Sequence, residues 1–297
     1  MLAALRERPD GARMALVVEG GGMRGAVSGG MALALYELGL REAFDAAYGS
    51  SAGALNAMWF VSGRVEEGMP TWTDERLNRE LISRRRVFQG RPIVDVRGLV
   101  DDRYEKLAPG LFADVLRART EFHPLATEIT SGAAVDLHGD IADERTLRLA
   151  LRATSGLPLL AGPPVELGGR RLLDAGLSAA IPIRAAIAGG ATHILVLRSR
   201  REGEVAEASS ERTTKIMQRL LGRIDPAVAE AFVTRPGREA LDEELLAQHA
   251  ADPALTPHIL SVRPAPDSPV PSRLERDLDI VRGGLAAGHQ AVMDKFS

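Results

Sequence analysis

Three short stretches carry residue types that could do chemistry together. Gly20-Gly21-Gly22-Met23-Arg24-Gly25 is a glycine-rich turn whose successive backbone N–H groups can form a nest for an anion. Gly49-Ser50-Ser51-Ala52-Gly53 puts a serine in the middle of a Gly-x-Ser-x-Gly turn, with the hydroxyl expected to be exposed. A side chain at Gly49 or Gly53 would clash with the neighbouring elements. Asp174 precedes the small residues Ala175 and Gly176, which let the backbone turn closely around a carboxylate. A serine nucleophile, a proton acceptor and an oxyanion-stabilising turn are the parts acyl transfer needs.

Each part alone has a plainer reading. Ser51 could cap a helix, and Asp174 could close an Asx turn. The glycine turn also fits the dinucleotide fingerprint, or a tight strand-to-helix turn with no ligand. The fingerprint wants an acid about twenty residues on, at the end of the second strand. Glu42 and Asp45 precede or begin that strand, and its end is Gly49-Ser50-Ser51. Arg24 either adds positive potential to the turn or makes an ordinary ion pair. Six histidines follow Ser51, and those weighed as a base (His123, His138, His193, His258 and His289) sit in no motif that suggests one.

The elements around these residues read as an α/β chain. Met14 to Glu19 is an apolar run of the kind buried in a parallel sheet. Arg24 to Leu38 reads as a helix ending at Gly39, with Ala26, Ser28, Gly29, Gly30 and Ala32 small enough for close packing on the sheet. Ala43 to Tyr48 is a second strand and Ala52 to Val61 a second helix, in which Met58, Trp59 and Phe60 read as core. The thirty-odd residues between the two glycine turns are the size of one βαβ unit, which sets both turns at one sheet edge. Residues 64–120 are irregular and read as an insert over that edge, supplying substrate contacts. Phe122 to Ile129 and Ala133 to Leu137 pair as strands, and Asp143 to Ala153 is a helix. Gly168-Gly169 joins two short strands as a hairpin. Pro182 starts a helix that Gly189-Gly190 ends, and His193 to Leu197 is a further parallel strand. Beyond Arg198 the chain is more polar. Glu204 to Ser210 reads as a mobile loop, Pro226 to about Ala250 as helix, and Arg263 to Pro271 as a connector. Ser272-x-x-Glu275 reads as the capping box of a last helix reaching about Lys295.

Composition narrows the function classes. The 297 residues are 45% hydrophobic, enough for one large core, and the formal net charge of -3 gives no general basic field for nucleic acid. The absence of cysteine removes disulfides, thiolate catalysis and cysteine-based zinc sites. Arg84-Arg85-Arg86 and Arg198-Ser199-Arg200-Arg201 read as solvated runs. The N-terminus is too short and too charged for a signal peptide, and no run of about 18 uncharged apolar residues exists. A cytoplasmic protein, at most in transient contact with a membrane surface, is the expectation.

Taken in order, Gly-Gly-Gly-x-Arg-Gly, Gly-x-Ser-x-Gly and Asp-Ala-Gly resemble the patatin-like phospholipases. The similarity runs from about Met14 to Arg198 and includes Thr154-Ser155-Gly156-Leu157-Pro158 and Ile181-Pro182-Ile183. It implies a three-layer α/β/α sandwich with a central, mostly parallel sheet. It implies a Ser–Asp dyad with Ser51 as nucleophile and Asp174 as proton acceptor, and an oxyanion hole on Gly20, Gly21, Gly22, Met23 and Arg24. Gly25, Gly49, Gly53, Ala175 and Gly176 complete the motifs. Ala175 stands where many relatives carry glycine, at a cost of about 1 kcal/mol if the position needs positive φ. Expected domains are a hydrolase core over 14–200, with the insert at 64–120, and a mainly helical extension over 201–297 packed on it. The substrate implied is a fatty acyl ester or phospholipid. No metal or other cofactor is expected, since the chemistry is complete without one. The alternatives are a non-catalytic lipid-binding protein on the same fold and a dinucleotide-binding oxidoreductase.

Overall fold

Met14–Val18 forms strand β1 and is buried along its whole length, as expected of an apolar run covered on both faces. It lies between β2 (Ala46–Ser50) and β7 (His193–Leu197), parallel to both. β3 (Glu121–Glu128) runs parallel to β2, while β4 (Ala134–Asp136), β5 (Val165–Leu167) and β6 (Arg170–Asp174) add antiparallel pairings. β8 (His258–Val262) pairs parallel with β7. The strand order is β5-β6-β3-β2-β1-β7-β8, with β4 on β3. The chain, seen in a computed structural model that describes residues 2–204 and 210–296, is thus an α/β sandwich on a central, mostly parallel sheet.

Alternate side chains of the sheet feed two cores. Leu16 and Val18 face the helices Gly25–Glu37 and Ala52–Ser62 and the C-terminal helix Leu278–Phe296. Ala15, Val17, Ile194 and Val196 face the helix Ile183–Ala188 and Leu246 of the long helix Pro226–Ala251. Met58, Trp59 and Phe60 are core, as expected. The insert folds into short helical pieces. Trp72 packs over Gly25 and Gly29, and its Nε1–H donates to Asn56 Oδ1 at 3.0 Å. Asn56 in turn donates to the Gly25 carbonyl at 2.7 Å, so one buried side chain ties the insert to both glycine-turn helices.

Several expectations need correction. β2 begins at Ala46, later than the run from Ala43, because residues 41–43 form a single helical turn. Gly30 is needed for close packing against another helix, since a Cβ there would strike the Leu285 carbonyl, and one on Gly288 would strike the Val27 carbonyl. Ser272 and Glu275 do pair with each other (Oγ to Oε2, 3.1 Å), but only within a turn. The last helix starts at Leu278, after Asp277 has accepted the Asp279 N–H. The helix Glu211–Leu221 is an element of the expected helical extension that no sequence signal singled out, and the edge strand β8 is an addition to it. Residues 205–209 of the polar loop lie outside the described residues. Among the described residues, no helix is long and apolar enough to cross a membrane.

Candidate functional site

The two glycine-rich turns leave the sheet side by side, after β1 and β2. At the end of β2 the chain reverses so sharply that Ser51 takes φ 52°, ψ -127°. Among the described residues only Ser51 and Leu159 hold positive φ without being glycine. Such a conformation costs an L-residue on the order of 1–3 kcal/mol and persists only where the surroundings enforce it. They do so here. A Cβ on Gly49 would press into the Ala54 backbone, and one on Gly53 would lie 2.6 Å from the Glu19 carbonyl oxygen. The Ser51 N–H donates to Thr154 Oγ1 at 2.9 Å, which fixes the turn from the third side.

Asp174 reaches this serine through the register of β3. β4 lies along one side of β3, where the Leu137 N–H bonds the Pro124 carbonyl. The other side is taken by β2 as far as Ser50, opposite Leu125, and then by β6 from Asp174, opposite Ala126. Ser51 and Asp174 therefore meet where one strand hands the edge of β3 to the next. Ser51 Oγ donates to Asp174 Oδ2 at 2.7 Å, and the Gly176 N–H donates to Asp174 Oδ1 at 2.7 Å. The Asp174 N–H bonds the Gly156 carbonyl, so residues 154–156 brace both halves of the pair. Ala175 opens a helical turn and is not in the positive-φ region, so alanine carries no backbone cost there.

The pair is enclosed. Ser51 is 6% exposed and Asp174 2%, so the serine hydroxyl is not surface-exposed as the sequence suggested. Burial pushes the Asp174 carboxyl up to about 6, against the opposing effects of the Ser51 and Gly176 hydrogen bonds and of the Arg235 and Arg273 charges. A carboxylate raised this far is a stronger base than a solvated aspartate and remains ionised at neutral pH.

The glycine turn does not offer all its amides. Gly20 N–H bonds the Ala180 carbonyl, Met23 N–H the Arg273 carbonyl, and Arg24 N–H the Gly21 carbonyl. The N–H groups of Gly21 and Gly22 have no acceptor among the described residues. Gly22 adopts φ 60° with the Arg273 carbonyl against its face, where a side chain would not fit. Thus the segment before the C-terminal helix forms one wall of the turn, although it lies some 250 residues away in the chain.

Beneath the turn lies a charge network that the sequence reading placed in solvent. Arg198 is 0% exposed and Arg200 4%. Arg198 Nε donates to Glu19 Oε2 at 2.9 Å, its Nη2 to Glu243 Oε1 at 2.5 Å, and Arg200 Nη2 to Glu239 Oε2 at 2.8 Å. Burial alone would raise the Glu19 carboxyl, but Arg198, Arg200 and the Ser199 N–H hold it down at about 2. The available signal was register: Val18 pairs with Leu197, so Glu19 and Arg198 leave adjacent strands together. Asp45, one acid weighed for a nucleotide, accepts the Met14 N–H at the other end of the sheet from the turn. His123 lies in β3, where it stacks between Tyr48 and His138, hydrogen-bonds Asp136 and makes no contact with Ser51. The insert's own cleft, about 500 Å³ and including Pro70, Leu77, Tyr104 and Leu107 in its lining, contains neither Ser51 nor Asp174.

Comparison with known proteins gives the family of this chain. The sequence model of the family described as patatin-like phospholipase matches residues 16–187. The uncharacterized protein YjjU of Escherichia coli strain K12 is 28% identical over 201 residues, 67% of this chain, and the match spans 55% of YjjU's own length. The crystal structure of VipD from Legionella pneumophila superposes with a TM-score of 0.47 at 10% identity, covering 96% of this chain and 66% of that one.

Proposed function

Because the chain belongs to the patatin-like phospholipase family, we propose that it is a lipid acyl hydrolase working through Ser51 and Asp174. The observation that carries this reading is the 2.7 Å hydrogen bond from Ser51 Oγ to a buried carboxylate, made by a serine held at positive φ. Family membership supports lipid hydrolysis in general, and the local chemistry supplies the steps.

Asp174 Oδ2 accepts the Ser51 proton as Oγ attacks the ester carbonyl. Negative charge then develops on the carbonyl oxygen. The N–H groups of Gly21 and Gly22, without an acceptor among the described residues, are the donors this reading assigns to it, and the loss of one such donor typically costs about a hundredfold or more in rate. Asp174 returns its proton to the leaving alcohol. Water, deprotonated by the same carboxylate, then releases the fatty acid from Ser51. Enclosure of the pair strengthens each of these electrostatic contacts. The substrate in this reading is a fatty acyl ester or phospholipid met at a lipid surface.

The test is hydrolysis of a chain-length series of chromogenic acyl esters, together with covalent labelling by an activated phosphonate. Wild type should turn over and be labelled at Ser51, while Ser51→Ala should do neither and remain folded. Labelling that survives Ser51→Ala would sink the assignment.

A further inference from the structure

Arginines from three distant parts of the chain lie around the glycine turn and the Ser51–Asp174 pair, with fewer carboxylates than guanidiniums among the described residues. Arg24 follows the glycine turn and is 9% exposed. Among the described residues its Nε and Nη2 have no hydrogen-bond partner, and the one carboxylate within 4 Å is Glu204 at 3.7 Å. Arg235 lies on the long helix, one turn before Arg238, whose guanidinium donates to the carbonyl of Leu177, three residues beyond Asp174. Arg235 shares its one carboxylate, Glu239, with Arg200. Arg273 is fixed to the glycine turn through its carbonyl, which accepts the Met23 N–H at 3.0 Å. Its side chain reaches solvent and has no carboxylate within 4 Å among the described residues.

We infer that Arg273, Arg235 and Arg24 form a cationic subsite beside the Ser51–Asp174 pair that takes the phosphate of an anionic glycerolipid headgroup. The guanidiniums feel one another: partial desolvation, then the charges of Arg235 and Arg24, hold Arg273 down at about 10. Like charges kept together without a matching anion are a standing cost that a bound oxyanion relieves, and guanidinium forks suit phosphate oxygens. The charges of Arg235 and Arg273 also act on the Asp174 carboxylate, so an anion held there lies within electrostatic reach of the Ser51–Asp174 pair. A zwitterionic headgroup brings its own cation into this field and gains less. Two of the three arginines lie outside the family match at 16–187, so the subsite is a property of this chain's tail.

This inference deepens the hydrolase reading and rests on it for the substrate, but anion binding is measured separately. Calorimetry on the full-length Ser51→Ala protein uses inorganic phosphate and sn-glycerol 3-phosphate as probes. Both should bind, and adding Arg273→Gln should weaken binding tenfold or more, with Arg273→Lys intermediate. Tighter binding of glycerol phosphate points to a headgroup, and equal binding to a free anion. On vesicles of matched acyl chains, the ratio of phosphatidylglycerol to phosphatidylcholine hydrolysis should fall at least fivefold in Arg273→Gln. Absence of binding by either probe at millimolar concentration, or identical affinities with and without Arg273→Gln, would overturn the subsite. Probe binding by a wild type that cleaves no ester would overturn the hydrolase reading and leave the subsite standing.

Discussion

Asp174→Asn tests the proposed catalytic role of the buried carboxylate separately from what that carboxylate costs the fold. In the folded chain burial raises this carboxyl to about 6, against an ordinary 3.8. Below pH 3.8 both folded and unfolded chains are protonated there and burial costs nothing. Above pH 6 the folded chain must hold a charge that the unfolded chain solvates freely. At about 1.4 kcal/mol per decade the full cost is about 3 kcal/mol, with about half of it present at pH 5. Asparagine has nearly the same shape. Its Oδ1 can still accept the Gly176 N–H, and its Nδ2 can donate to Ser51 Oγ. The substitution should therefore raise stability at pH 8 by up to about 3 kcal/mol, a gain that shrinks as pH falls toward 4. Urea unfolding of both proteins at pH 4, 5 and 8 measures this, and hydrolysis of a chromogenic ester measures catalysis in parallel. Turnover should be lost in the variant, while wild-type kcat/KM should fall on the acid side with an apparent pKa near 6. A variant that is less stable than wild type at pH 8, or offset equally at every pH, would refute the claim that burial penalises the charge. Wild-type turnover by the variant would refute the role of Asp174 as base.

Other substitutions probe the frame around the pair. Glu19→Gln removes the carboxylate that Arg198 and Ser199 share, and should cost about 3–5 kcal/mol in urea unfolding at pH 7 because a buried guanidinium loses a partner. Since Glu19 is held at about 2, that loss should be complete above pH 4.5 and close as pH falls toward 2. Gly30→Ala drives a methyl group into the Leu285 carbonyl and should lower stability by about 1–3 kcal/mol, read as a fall in Tm. Asn56→Leu strands the Trp72 Nε1–H and should cost about 1–3 kcal/mol, with a change in Trp fluorescence as the insert loosens from the glycine-turn helix.

The local parts of this protein are legible in its sequence because short-range physics sets them. Apolar runs bounded by glycine turns mark β1, β2 and β7, and Gly168 and Gly169, at φ 58° and 71°, make the hairpin that ends in Asp174. Glycines at 49 and 53 announce the elbow at Ser51 because no side chain fits either place. The motifs therefore point to a serine and an aspartate, 123 positions apart, that the fold joins by a hydrogen bond. What the sequence could not decide is which groups would be left without partners. The Arg198 run reads as solvated until Glu19 is set beside it by the pairing of β1 with β7, and Glu243 by the long helix. All five amides of the glycine turn read as alike until Ala180 and Arg273 satisfy two of them from outside it and the turn itself satisfies a third. Hydrogen bonds and ion pairs are chosen by proximity in three dimensions. The closure of the sheet and the return of the C-terminal segment therefore settle which N–H groups and which charges remain free for a ligand.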